Sequence, residues 1–182
     1  IEQMLTALMG TVDTVMVSTI SPAAVSGVSL VDSINVLMQY VFAALATGGT
    51  IACSQYLGRR EVNGANNAAR QVLLSVLVLS TVITVACVVF RRPLLALIFG
   101  SAEPAVMDAA LTYFLLTALS YPFMGIYDVS PALYRATGNS RLPMVISASC
   151  NVVNIVGNSI TIYILDWGVA GAALSTLVSR IL

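Results

Sequence analysis

Four stretches of this chain are long enough to cross a bilayer and carry no charged side chain. Residues 33–58 run for 26 positions without one, 71–90 for 20, 109–127 for 19 and 142–165 for 24. A helix needs about 20 apolar residues to span the hydrocarbon core. Composition supports the same reading: of 182 residues, 58% are hydrophobic and 9% are charged, and the mean hydropathy is +0.93. A soluble domain carries about 25% charged residues. This chain lacks the ionic surface that water requires. A disordered chain, a nucleic-acid-binding module and an ordinary cytosolic enzyme are excluded, and lipid is the solvent.

The charges are eight Arg against eight Asp and Glu, with no Lys and no His. Without His there is no His-based metal centre and no Ser–His or Cys–His nucleophile. Cys53, Cys87 and Cys150 lie far apart in apolar surroundings without CxxC spacing, and read as buried thiols. HExxH, GxSxG, P-loop and GxGxxG patterns are absent, which argues against an enzyme. No cofactor is expected. The sequence opens at Ile1 and closes at Leu182 inside an apolar run, so a piece of a longer protein is expected.

The expected architecture is an all-α, polytopic helix bundle of about six spans within one unit, 1–182. The spans fall near 1–20, 33–58, 68–90, 107–133, 143–165 and 169–182, the first and last incomplete. Ser21-Pro22 and Asp32 bound the first connector. Arg91-Arg92-Pro93 ends the third span, and Leu94–Phe99 is too short to cross, so it is expected along the interface. Arg59, Arg60, Arg70, Arg135 and Arg141 fall on one side, and Arg91 and Arg92 on the other. The positive-inside rule then places the amino end in the cytoplasm. Small residues favour close helix contact in lipid; Ala44, Gly48 and Ala52 make one such face, and Gly168 with Gly171–Ala173 another.

Polar groups inside spans single out candidate functional positions. Asp13 sits within the first span, roughly 10–14 Å of helix from either end, where a carboxylate costs about 2.5–3.5 kcal/mol. It reads as a cation or proton site, or as a carboxylate satisfied by Thr11 or Thr14. On the fifth span Ser147, Asn151, Asn154, Asn158 and Thr161 are spaced 4, 3, 4 and 3. They share one face, which must look into the bundle, as interhelical hydrogen bonds or as a cavity wall. Asn35 and Gln39 lie one turn apart on the second span. Tyr113, Thr117 and Tyr121 repeat every four residues on the fourth, where Pro122 and Pro131 can kink the helix. Asp128 reads as an ion-pair partner of a nearby Arg. Met9, Met16, Met38, Phe42 and Met124 read as packing.

Glu2-Gln3-Met4-Leu5 followed by Val12-Asp13-Thr14-Val15-Met16-Val17 resembles the first span of MATE (multidrug and toxic compound extrusion) transporters. The likeness continues in order through Ala24–Leu30, Ala46–Thr50 with Ser54–Gly58, Tyr134–Arg141, Asn154–Asn158 and Gly168–Ala173. The resemblance implies the amino-terminal lobe of a twelve-helix transporter, partnered by a carboxy-terminal lobe of the same chain. It implies a multi-pass protein of the bacterial plasma membrane that exports organic cations, drugs or toxic metabolites in exchange for Na+ or H+. Its partners would be small-molecule substrates and the bilayer, with no nucleic acid. Asp13 and Asn154 match positions of a coupling site in one branch of the family, with Asp13 as the Na+ ligand. Asn158 stands where that branch has a second carboxylate, so the site would hold one negative charge rather than two. Asn35, Gln39, Tyr113, Thr117, Tyr121, Ser147, Asn151 and Thr161 would line the cavity. A lipid-linked-precursor flippase of related fold and a non-transporting scaffold are the alternatives. The flippase is disfavoured because the intramembrane charge is one Asp, with no mid-span Arg apart from Arg180.

Overall fold

The computed structural model describes residues 22–100, 103–138 and 141–181, together with 11, 15, 16 and 18. The remainder of the expected first span, Asp13 included, lies outside the described residues. These form helices α1 (Pro22–Gly58), α2 (Val62–Val89), α3 (Arg91–Phe99), α4 (Pro104–Leu119), α5 (Tyr121–Ala136), α6 (Arg141–Asn158) and α7 (Gly168–Ile181). A π-helical turn, Ser159–Ile164, extends α6. Among the described residues there is no strand.

Three helices are long and apolar enough to cross a membrane: α1, α2, and α6 with its π-helical extension. Helices α4 and α5 together make a fourth span, bent by 52° at their junction. Helix α7 is a shorter apolar helix. The outer face of α2 identifies its solvent. Val78, Val82, Val85 and Val89 follow one another at spacings of 4, 3 and 4, and are 63%, 60%, 58% and 65% exposed. A continuous valine face of this kind belongs against hydrocarbon or another apolar surface, not against water. The chain is a membrane protein.

Helix α1 is the organiser. It packs against α2, α4 and α5, while α7 packs against α4 and α6. At 37 residues it is about 55 Å long, well beyond the ~30 Å hydrocarbon core. It begins at Pro22, so the stretch expected to be a connector before Asp32 is helical. A charge-free window stops at Asp32, whereas the helix runs through it because neighbouring side chains satisfy the carboxylate. The packed face of α1 carries Gly27, Val31, Ile34, Asn35, Phe42, Ala46, Gly49 and Cys53, all buried. A Cβ at Gly27 would meet the Ala110 nitrogen and Val106 oxygen of α4 at 2.9 Å, so backbone lies against backbone there. The expected small face is turned away from these partners: Ala44 and Gly48 are exposed, and a Cβ at Gly48 would meet nothing within 4 Å. Small spacing occurs on both sides of α1, and bulk on the neighbours decides between them. Gly171, Ala172 and Ala173 are buried on α7, where close packing was expected.

The bend lies at Ser120, beside Pro122. Pro122 has no N–H, so the Ala118 carbonyl one turn earlier loses its ordinary helical donor. The Thr84 hydroxyl of α2 donates to that carbonyl at 3.0 Å. Hydroxyl side chains are a recognised way for membrane helices to tolerate proline. Pro131 is buried within α5, and the helix continues through it. Thr84→Val should lower stability by about 1 kcal/mol, read as a lower Tm of the full-length protein in detergent. In a Pro122→Ala background, residue 122 regains its N–H and the same change should cost much less. An equal loss in both backgrounds would show that Thr84 does not act through the proline-freed carbonyl.

Candidate functional site

The polar residues singled out on the spans separate into two centres. The first lies between α6 and α7. Asn154 and Asn158 are both 0% exposed, on the face that also buries Ser147 and Asn151. Asn158 Nδ2 donates to Asn154 Oδ1 at 3.3 Å. Asn154 Nδ2 donates to Thr176 Oγ1 at 3.3 Å, and Thr176 Oγ1 donates to the Ala172 carbonyl at 3.0 Å. One turn along, the Thr161 and Ser175 hydroxyls lie 3.0 Å apart. The helices can approach because of two glycines. A Cβ at Gly171 would meet Thr161 at 2.9 Å, and one at Gly157 would meet Ser175 at 3.1 Å. The π-helical turn starts directly after Asn158, where Leu165 N donates to Ile160 O at 2.9 Å. Wide turns of this kind occur frequently at functional sites.

The second centre lies around the bend. Asn35 Nδ2 donates to Asp32 Oδ1 at 3.1 Å. The Tyr121 hydroxyl donates to Asn35 Oδ1 at 3.1 Å. Tyr113 hydrogen-bonds Asp32, and the charge of Arg180 acts favourably on the same carboxylate. Arg180 Nη1 donates to Ser120 Oγ at 2.8 Å. Helices α1, α4, α5 and α7 thus meet through polar side chains at one level. Tyr121 is fully buried and Tyr113 is 4% exposed; both also belong to the apolar core.

Other expected wall residues fall elsewhere. Thr117 is buried, but its hydroxyl donates to the Tyr113 and Phe114 carbonyls of its own helix at 2.9 and 3.3 Å. Ser147 accepts from the Tyr127 hydroxyl at 2.9 Å, joining α5 to α6. Gln39 is half-buried on α1. Asp13, the expected coupling carboxylate, lies outside the described residues. Among the described residues, no group of three or more His, Cys, Asp or Glu could hold a metal ion.

Sequence reasoning missed Asp32, Ser120, Thr176 and the engagement of Arg180. The spacing of Asp32 and Asn35 was a usable signal, since residues three apart on a helix can pair. Within the described spans lie Asp32 of α1, Asp128 of α5 and Arg180 of α7, and this removes part of the ground on which a flippase was disfavoured. Asn35→Leu deletes both a donor to Asp32 and the acceptor of Tyr121. It should cost about 2 kcal/mol, against about 1 kcal/mol for Tyr121→Phe. The double variant should be less than additive because the two share one hydrogen bond. Thermal unfolding of the full-length protein reads all three, and strict additivity would exclude the shared bond.

Comparison with known proteins places this geometry. A family model described as MatE matches residues 1–160. The chain is 29% identical over 186 residues to "Uncharacterized transporter YisQ" of Bacillus subtilis, covering 100% of this chain and 40% of the relative. It is 26% identical over 184 residues to "Probable multidrug resistance protein NorM" of Thermotoga maritima, covering 98% and 39%. A solved structure described as MATE in the bent conformation superposes with a TM-score of 0.90 at 25% identity, covering 97% of this chain and 39% of that one. An outward-facing multidrug resistance MATE transporter superposes with a TM-score of 0.89 at 25% identity, covering 99% and 40%. The chain thus spans about 40% of the length of the curated relatives it matches.

Proposed function

The chain belongs to the MatE family, and from that premise we propose that the protein containing it is a secondary efflux transporter that exports small organic compounds in exchange for Na+ or H+. The observation that supports this reading is the buried Asn158–Asn154–Thr176 chain between α6 and α7. Three amide or hydroxyl side chains meet there, buried between two apolar helices. Asparagine and threonine oxygens are hard donors suited to a small hard cation, and Asp13 would supply the negative charge. In this reading Asp13 is the coupling carboxylate, with Asn154 and Asn158 beside it. The amino end lies in the cytoplasm, the membrane is the bacterial inner membrane, and a carboxy-terminal lobe of the same chain completes the pathway.

The mechanism follows from the cost of charge in lipid. An empty, ionised Asp13 disfavours a dry interface and keeps the lobe open to water. A bound cation or proton neutralises it, so that the first span and α6 can close and expel substrate outward. Alternating access by movement of helices around a fixed site is the general transporter pattern. The pairing of α6 with α7 through Gly157 and Gly171 lets those two helices move together. Asn35, Gln39, Tyr113 and Tyr121 would contribute the polar points of an otherwise apolar wall that adapts to many substrates.

The test is export of a fluorescent organic cation by the full-length protein in efflux-deficient cells. Asp13→Asn should abolish gradient-driven export at normal expression, and Asn154→Leu should reduce it at least tenfold, the effect of losing about 1.4 kcal/mol of ion affinity. Collapse of the Na+ or the proton gradient then identifies the ion. Undiminished, gradient-dependent export by Asp13→Asn would move coupling out of this lobe.

A further inference from the structure

Arg91 and Arg92 stand at the opposite end of α2 from Arg59, Arg60 and Arg70. Arg70 and Arg91 flank the charge-free run 71–90, so about 32 Å of helix separates them, close to the ~30 Å of the hydrocarbon core. Both therefore lie at headgroup depth, on opposite sides. Pro93 has no N–H for the Val89 carbonyl, and the long helix breaks at Phe90, where φ is −99° and ψ is 17°. The nine residues Arg91–Phe99 continue as α3, too short to span and placed beyond the core. Both arginines occupy its first turn, which holds no acidic residue. Among the described residues neither makes an ion pair, with Glu103, with Asp108 or with any other acid.

The rest of α3 has two faces. Leu95 is fully buried, and Leu94 and Phe99 join it against the core that α1 and α4 share. Leu97 is 85% exposed, and Ile98 is exposed beside it. Val85, Val89 and Phe90 are exposed at the end of α2 that leads into them, so the outward apolar face of α2 continues along the chain into α3. Two guanidiniums at headgroup depth thus adjoin an apolar surface that has no place in water. Their adjacent charges repel each other and the positive end of the helix dipole, and an anion relieves both. The complement is a phosphate joined to apolar chains, which arginine's rigid fork of donors holds by charge-assisted hydrogen bonds. Basic amphipathic helices bind anionic membrane surfaces in this manner.

We propose that α3 is a docking surface for an anionic phospholipid, with Arg91 and Arg92 on the phosphate and Phe90, Leu97 and Ile98 against the acyl chains. Charge complementarity selects the occupant. Phosphatidylglycerol brings a net negative charge, whereas phosphatidylcholine brings a quaternary ammonium toward two guanidiniums. The proposal goes beyond the exporter reading and does not depend on it, because the lipid is detected by binding and not by transport.

The test reads the lipid beside α3 in the full-length protein. Ala96 is exposed on α3, and Ala96→Cys, with the other cysteines replaced, carries a bimane label. The protein is placed in phosphatidylcholine liposomes that contain a minor fraction of dibrominated phosphatidylglycerol or dibrominated phosphatidylcholine as quencher. The brominated phosphatidylglycerol should quench as if enriched about tenfold over its bulk fraction, the preference expected of two basic side chains at a headgroup. The brominated phosphatidylcholine should quench at its bulk fraction. Arg91→Gln with Arg92→Gln should abolish the enrichment, and Arg91→Lys with Arg92→Lys should keep part of it. Arg59→Gln with Arg60→Gln, at the opposite end of α2, should leave it unchanged. Equal quenching by the two lipids in the wild type, or enrichment that survives the Gln pair, overturns the proposal. So does an equal loss in the Arg59 and Arg60 variant, which would show a general effect of charge. Absence of quenching by either lipid also overturns it, since protein would then cover α3. Loss of enrichment on adding inorganic phosphate does the same, since the anion would then bind without its chains. If the Gln pair fails to fold, the Lys pair and the wild-type comparison of the two lipids still decide.

Discussion

Hydrocarbon offers no hydrogen bond, so every polar group in a span must be answered by another part of the chain. This constraint organises the lobe more than apolar packing does, because lipid tails give apolar side chains no reason to leave them. The outward valines of α2 meet it by having nothing polar to answer. The inward polar residues meet it by pairing across helices. Thr84 supplies the proton that Pro122 withholds from Ala118, and Arg180 and Tyr121 tie α7 and α1 to the same bend. A bend that would be a defect in isolation becomes the point where α1, α2 and α7 are held in register.

The fold was legible where the sequence obeys the membrane's simplest rule. Charge-free runs gave the long helices α2 and α6, and Pro122 gave the bend. The same rule misplaced the start of α1, since a window that stops at charge cannot see that Asn35 and Tyr113 satisfy Asp32. The four-three spacing of Ser147, Asn151, Asn154 and Asn158 identified a buried face, because periodicity determines which residues share a side. Periodicity does not determine what lies opposite. Thr176 and Ser120 became visible only when α7 was packed against α6 and the bend, and Ala44 and Gly48 illustrate the converse, small residues turned away from the described neighbours of α1.

The two polar centres are not independent, because α7 carries a member of each. Thr176 receives the hydrogen bond from Asn154, and Arg180, four residues on, donates to Ser120. Residues at that spacing share one helix face. A shift of α7 that lengthens the first contact cannot leave the second unchanged, since a helix of 14 residues moves nearly as a rigid rod. The close approach at Gly157 and Gly171 couples α6 to the same motion. A rearrangement of the asparagines is therefore passed through α7 to the bend of the fourth span, and one at the bend is passed back by the same route. Such coupling is reciprocal by thermodynamic necessity.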